Sequence, residues 1–181
     1  MSETRRHLRF KDDREKLAFM REGASRDALK APIRELAIRL TRRFPPDAWA
    51  RQIEEIQKFV RDGIRYVHDP RRREELADAL TVLSRGVDDC DGKARLTAAL
   101  GHALGMDATI LPVWKGPVLA HVQAGFKWPG SDKYAGEKKD LEGRPSPTGY
   151  VVAETTVKGV KLGQSPFSVP KNPETGNAPL A

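Results

Sequence analysis

The chain has 181 residues, 39% of them hydrophobic, which suffices for one domain with a core and a tail. Its formal charge of +7 comes from bases interleaved with acids, as in Lys11-Asp12-Asp13-Arg14-Glu15-Lys16, the pattern of a solvated helical face. One cysteine excludes an internal disulfide framework, and no stretch approaches the roughly 18–20 apolar residues that span a bilayer.

Met1-Ser2-Glu3-Thr4-Arg5-Arg6-His7 carries no apolar core of a secretory signal, so a cytoplasmic protein without membrane contact is expected. Residues 1–24 are charged and poor in apolar anchors, an arm or a first short helix. Leu29, Ile33, Leu36 and Leu40 predict an amphipathic helix over 26–43, ended by Phe44-Pro45-Pro46. A second helix over 47–62 presents Trp49, Ile53, Ile56 and Val60 and stops at Asp62-Gly63. Ile64-Arg65-Tyr66-Val67 reads as extended, and a third helix is expected over 72–84. A fourth runs from Cys90 to Leu104, with Gly105 at its C-terminal end. The period then changes: residues 109–114, 118–126 and 150–157 read as strands. Residues 128–149, rich in Gly, Pro, Lys and Asp, read as a polar insertion, and 165–181 as an extended or disordered tail. The domain proper is therefore 25–164. Helices first and antiparallel strands afterwards predict an α+β domain, with the cysteine helix packed on the sheet.

Cys90 stands where Gly86-Val87-Asp88-Asp89 turns into the apolar helix. A thiol does acyl chemistry as a thiolate, and its ordinary pKa of roughly 8.5 falls at a helix N-terminus or beside an imidazolium. Asp88 or Asp89 is the candidate N-cap. The carboxylates of Asp88, Asp89 and Asp91 oppose ionisation unless caps or ion pairs consume them, so a histidine partner is required. In Leu119-Ala120-His121-Val122-Gln123-Ala124-Gly125, strand alternation places His121 with Leu119, Gln123 and Gly125 on one face. Glu154, among β-branched and apolar neighbours, needs a partner that an imidazole N–H would supply. His7 lies in the charged arm and His68 in a turn. His102 is about three turns along the helix from Cys90 at ~1.5 Å per residue and cannot pair with it. The acidic cluster lacks the alternating oxygens of a calcium loop, and one cysteine with scattered histidines makes no zinc cage. No metal and no cofactor are expected.

Asp89-Cys90-Asp91-Gly92-Lys93-Ala94 before an Ala/Leu helix, His121-Val122 in a strand, and Glu154-Thr155-Thr156 in a later strand resemble the transglutaminase-like superfamily of papain-type thiol enzymes, in particular its bacterial and phage-associated members. The likeness covers about 60–160, and Ile64 to Pro70 resembles the family's lead-in. The acid is Glu where Asp is usual. The resemblance implies a papain/transglutaminase-like fold and a triad of Cys90, His121 and Glu154. Cys90 would attack an amide or peptide carbonyl, His121 would take its proton, Glu154 would orient His121, and the acyl-enzyme would pass to water or to an amine. The oxyanion would use the Cys90 N–H and a second donor, Gln123 or a group near Tyr66. The partner implied is a protein or peptide substrate.

The competing expectation is a catalytically silent interaction or assembly module on the same fold, binding a protein partner through 128–149 or the tail. Nucleic-acid binding ranks last: the basic segments lack interleaved aromatics, and no zinc-finger, RRM or Walker-type motif is present.

Overall fold

The computed structural model describes residues 10–68, 76–134 and 149–166. Its opening charged stretch is helical from residue 13. Asp12 caps α1 (Asp13–Asp27), accepting the Glu15 N–H at 2.9 Å. Leu17, Met20 and Ala24 recur at helical spacing and are buried where α1 packs on α5 (Cys90–Ala103). The single helix expected over 26–43 is instead the end of α1, a turn at 28–30, and α2 (Ala31–Thr41). Pro32 explains the break: lacking an N–H, it suits a first turn and not a helix interior. Leu29, expected on the apolar face, lies in that turn and is 78% exposed. The next helix, α3 (Trp49–Gly63), follows its predicted course, burying Ile53, Ile56 and Val60.

Beyond α3 the chain makes β1 (Arg65–Tyr66), α4 (Ala79–Arg85) and β2 (Val87–Asp88). Strands β1 and β2 pair in parallel, Tyr66 opposite Asp88, a two-stranded sheet that the sequence pattern did not announce. Asp78 caps α4 through the Thr81 N–H at 2.8 Å, so the helix expected over 72–84 begins later; 72–75 lie outside the described residues. Gly86 ends α4 at φ 66°, left-handed backbone that favours glycine.

Helix α5 is the axis of the fold. It touches all four other helices as well as β3 (Asp107–Lys115) and β4 (Val118–Lys127). Contact on every side explains why Asp91 to Gly101 are buried without a break, Ala94, Leu96, Ala98, Ala99 and Leu100 among them. The antiparallel sheet runs in the order β3, β4, β5 (Val151–Ala153). Val122, Ala124 and Phe126 enter the core, as alternation predicts, and Phe126 fills the space beside Gly101 of α5. The strand expected over 150–157 is only three residues long, because Glu154 turns its carboxylate back onto the N–H groups of Thr155 and Thr156. The polar insertion begins inside the domain: Trp128 is buried and stacks edge-on against Tyr134, with ring centroids 5.1 Å apart. Residues 135–148 of the insertion and 167–181 of the tail lie outside the described residues. The architecture is α+β, with helices and the cysteine-bearing helix packed on an antiparallel sheet. Among the described residues no helix is long and apolar enough to cross a membrane.

Candidate active site

Strand β2 delivers the chain directly into α5, so Cys90 is the first helical residue. Of the two candidate caps, Asp89 is the one used: its Oδ1 accepts the N–H of Asp91 at 2.9 Å and of Gly92 at 3.4 Å. Asp88 accepts the Asp89 N–H at 2.9 Å. The Asp88 carboxylate also lies under Gly92, where an added Cβ would be 2.3 Å from Asp88 Cγ. Lys93, 1% exposed, reaches out of α5 to the end of α3, where its Nζ donates to the carbonyl of Arg61 at 3.3 Å and to that of Ile64. Each polar residue of the Asp-Asp-Cys-Asp-Gly-Lys run thus has a steric or hydrogen-bonding reason for its place.

His121 sits in β4 opposite Val113 of β3. Its Nε2 lies 2.8 Å from Glu154 Oε2. Glu154 is 0% exposed, yet all its oxygens are used. Oε1 accepts the Thr155 N–H at 2.8 Å, the Thr156 N–H at 2.6 Å and the Thr156 hydroxyl at 2.7 Å, and the backbone carbonyl accepts Gln57 Nε2 at 3.0 Å. Burial works against its charge, but the bonds from His121 and Thr156 outweigh it and hold the carboxyl below its ordinary range. An ionised carboxylate only accepts, so Nε2–H donates to Glu154 and Nδ1 is the ring nitrogen left for another partner.

The thiol is half-buried. Burial first, then the charges of Asp91 and Asp89, push its pKa up; the Val122 backbone N–H and Lys16 pull it down. Burial and the flanking carboxylates thus work against a thiolate at this helix start. Val122 directly follows His121, so β4 carries both the imidazole and an amide that bonds the sulfur. Opposite Val122 on the edge strand stands Pro112, which has no N–H to offer the ladder. The Asp91 carboxylate is divided: Oδ1 is 3.7 Å from Cys90 Sγ, and Oδ2 is 2.8 Å from Lys16 Nζ.

Tyr66 stands near this group from β1. Burial, and then the charges of Cys90, Asp89, Asp91 and Glu154, push its hydroxyl up to about 12, so it stays protonated. That hydroxyl is 3.3 Å from His68 Nδ1. Gln123, the other suggested oxyanion donor, already gives its Nε2–H to Ser165 Oγ at 2.8 Å. Its Oε1 is buried with no hydrogen-bond partner among the described residues. His102 lies by Met106 at the far end of α5 and is lowered by burial; His7 falls outside the described residues. Ligating atoms of Asp89, Cys90 and Asp91 lie within 4.8 Å of one another. Both carboxylates are engaged, one as the helix cap and one with Lys16. Sequence reasoning assigned no role to Thr156, Gln57, Lys93 or Lys16. Gln57 had a signal, a polar residue among Ile53, Ile56 and Val60 on the buried face of α3.

Two solved structures resemble this chain. The first is a candidate protease from Parabacteroides distasonis ATCC 8503, with TM-score 0.54 and 14% identity over 67% of this chain and 26% of that one. The second is a candidate cysteine protease from Cytophaga hutchinsonii, with TM-score 0.47 and 14% identity over 69% of this chain and 37% of that one. This chain shares its α+β fold with the first of these. The likeness is one of architecture, and this chain matches only 26% and 37% of the lengths of those proteins. No family model and no curated protein matches it.

Proposed function

We propose that the chain is a thiol enzyme acting on amide or peptide bonds, with Cys90 as nucleophile, His121 as general base and Glu154 orienting the imidazole. The observation that carries this reading is the buried 2.8 Å contact of His121 with a fully hydrogen-bonded Glu154, on the strand whose next amide meets the Cys90 thiol. A glutamate held ionised favours the imidazolium that forms when His121 takes a proton. Because the resting thiol is neutral, His121 Nδ1 accepts the thiol proton as Sγ bonds to the carbonyl carbon. The C=O electron pair moves to oxygen. Asp89 already occupies the N–H groups of Asp91, Gly92 and Lys93, which leaves the Cys90 N–H as the first-turn donor for that oxyanion. Collapse breaks the C–N bond, the imidazolium protonates the departing amine, and the thioester passes to water or to a second amine.

Cys90 is the one cysteine, so any thiol adduct reports on it alone. Intact mass after incubation with p-nitrophenyl acetate should show an acyl adduct that Cys90→Ser abolishes. Alkylation by iodoacetamide at pH 7 should slow about a hundredfold in His121→Ala, the lower end of what a general base supplies. Equal alkylation rates in the two proteins would overturn the assignment.

A second reading, a silent interaction module on the same fold, is favoured by the burial and the flanking carboxylates that push the thiol up. Loss of biological function on deleting 128–149, with Cys90→Ala fully competent, would select it.

A further inference from the structure

Helix α1 belongs to no part of the resemblance, yet it reaches the thiol. Lys16 Nζ and Asp91 Oδ2 are 2.8 Å apart, both side chains 10% exposed, so solvent and salt screen the pair little. The other oxygen of the same carboxylate faces Cys90 Sγ at 3.7 Å. Asp91 is therefore shared between an ammonium and a thiol. We propose that Lys16 is a positioning residue for Cys90: its ammonium holds Asp91 as a neutral pair beside the sulfur, so that negative charge can develop there.

This rests on Cys90 being the nucleophile only in its use; the electrostatic effect exists whether or not a substrate is turned over. Asp91 accepts from the thiol, and without Lys16 its charge would repel the thiolate unopposed. The groups that act on the sulfur are Asp91 and Asp89 at the start of α5, the Val122 N–H of β4 and Lys16 of α1, with the Tyr66 hydroxyl of β1 nearby. Lys16 is the cation among them that acts through Asp91. Its role is separable from the docking of α1, which has anchors of its own. Leu17, Met20 and Ala24 are buried, Arg21 donates from Nε and Nη2 to the Ile110 carbonyl at 3.0 and 2.7 Å, and Asp13 accepts the Leu119 N–H at 3.1 Å.

The test is the pH profile of iodoacetamide alkylation at Cys90. A shift of one pH unit changes the thiolate fraction about tenfold below the inflection. Lys16→Met should move the inflection up and slow the reaction at pH 7 roughly three- to tenfold. Lys16→Arg should restore the wild-type profile. Asp91→Asn, which removes the opposing carboxylate and leaves the buried anchors of α1 in place, should move the inflection down and decides the matter if Lys16→Met fails to fold. A Lys16→Met profile superimposed on the wild type, or an upward shift in Asp91→Asn, overturns the proposal. His121→Ala separates the two readings. If it leaves alkylation unchanged while Lys16→Met shifts it, the catalytic reading fails and Lys16 keeps its role. If it slows alkylation while Lys16→Met does not, only the role of Lys16 falls.

Discussion

His121 and Glu154 meet at 2.8 Å although 33 residues separate them, and neither side chain is more than 8% exposed. The contact forms because β5 ends one residue before Glu154, where Thr155 and Thr156 fold back to hold the other carboxylate oxygen. Glu154→Gln keeps the shape and removes the charge that supports an imidazolium. Formation of the Cys90 acyl adduct should fall by about 10²–10⁴-fold. Glu154→Ala should in addition lower unfolding stability by roughly 3 kcal/mol, since it strands buried donors. Stopped-flow acylation and urea denaturation measure the two effects.

Lys93 supplies a pH signature. Burial lowers its ammonium to about 8, against the opposing charges of Glu154, Asp62 and Asp88. The unfolded chain holds that proton up to about 10.4. Between these values the unfolded state binds more protons, so stability rises with pH across the window, and the penalty is fully present below it. Relative to Lys93→Met, the wild type should gain on the order of 2 kcal/mol between pH 7.5 and 10. Urea midpoints of both proteins across that range test this; parallel curves would refute it.

Gly23 in α1 lies against the Arg95 guanidinium, and an added Cβ would be 2.6 Å from Arg95 Cζ. The guanidinium cannot give way freely, because its Nε binds Asp27 Oδ2 at 2.8 Å, an oxygen that also accepts the Ala79 N–H at 3.0 Å. Alanine in place of a helix-interior glycine ordinarily stabilises by about 1 kcal/mol. Here Gly23→Ala should destabilise by about 1–3 kcal/mol through overpacking. In an Arg95→Ala background, itself costly because Asp27 loses its partner, the same change should become neutral or favourable. Thermal midpoints of the four proteins complete the cycle.

Much of this was legible in sequence where one element suffices to decide. The apolar spacing of Ile53, Ile56 and Val60 marks α3, the aspartate cap marks the start of α5, and alternation in β4 sends Val122, Ala124 and Phe126 inward. Pro32 split a helix that periodicity joined, because Leu29 matched the apolar spacing while lying in a turn. The parallel pairing of β1 and β2 escaped notice because each strand is two residues long, too short for a period.

Local pattern determined α3, α5, β3 and β4 and which residues carry reactive groups, since those depend on neighbours a few positions away. Only the tertiary structure decided which charges face the sulfur. Lys16 meets Asp91 because α1 lies along α5, and Glu154 meets His121 because β5 stops short beside β4. The ionisation of a half-buried thiol depends on every charge within a few ångströms, whatever its distance along the chain.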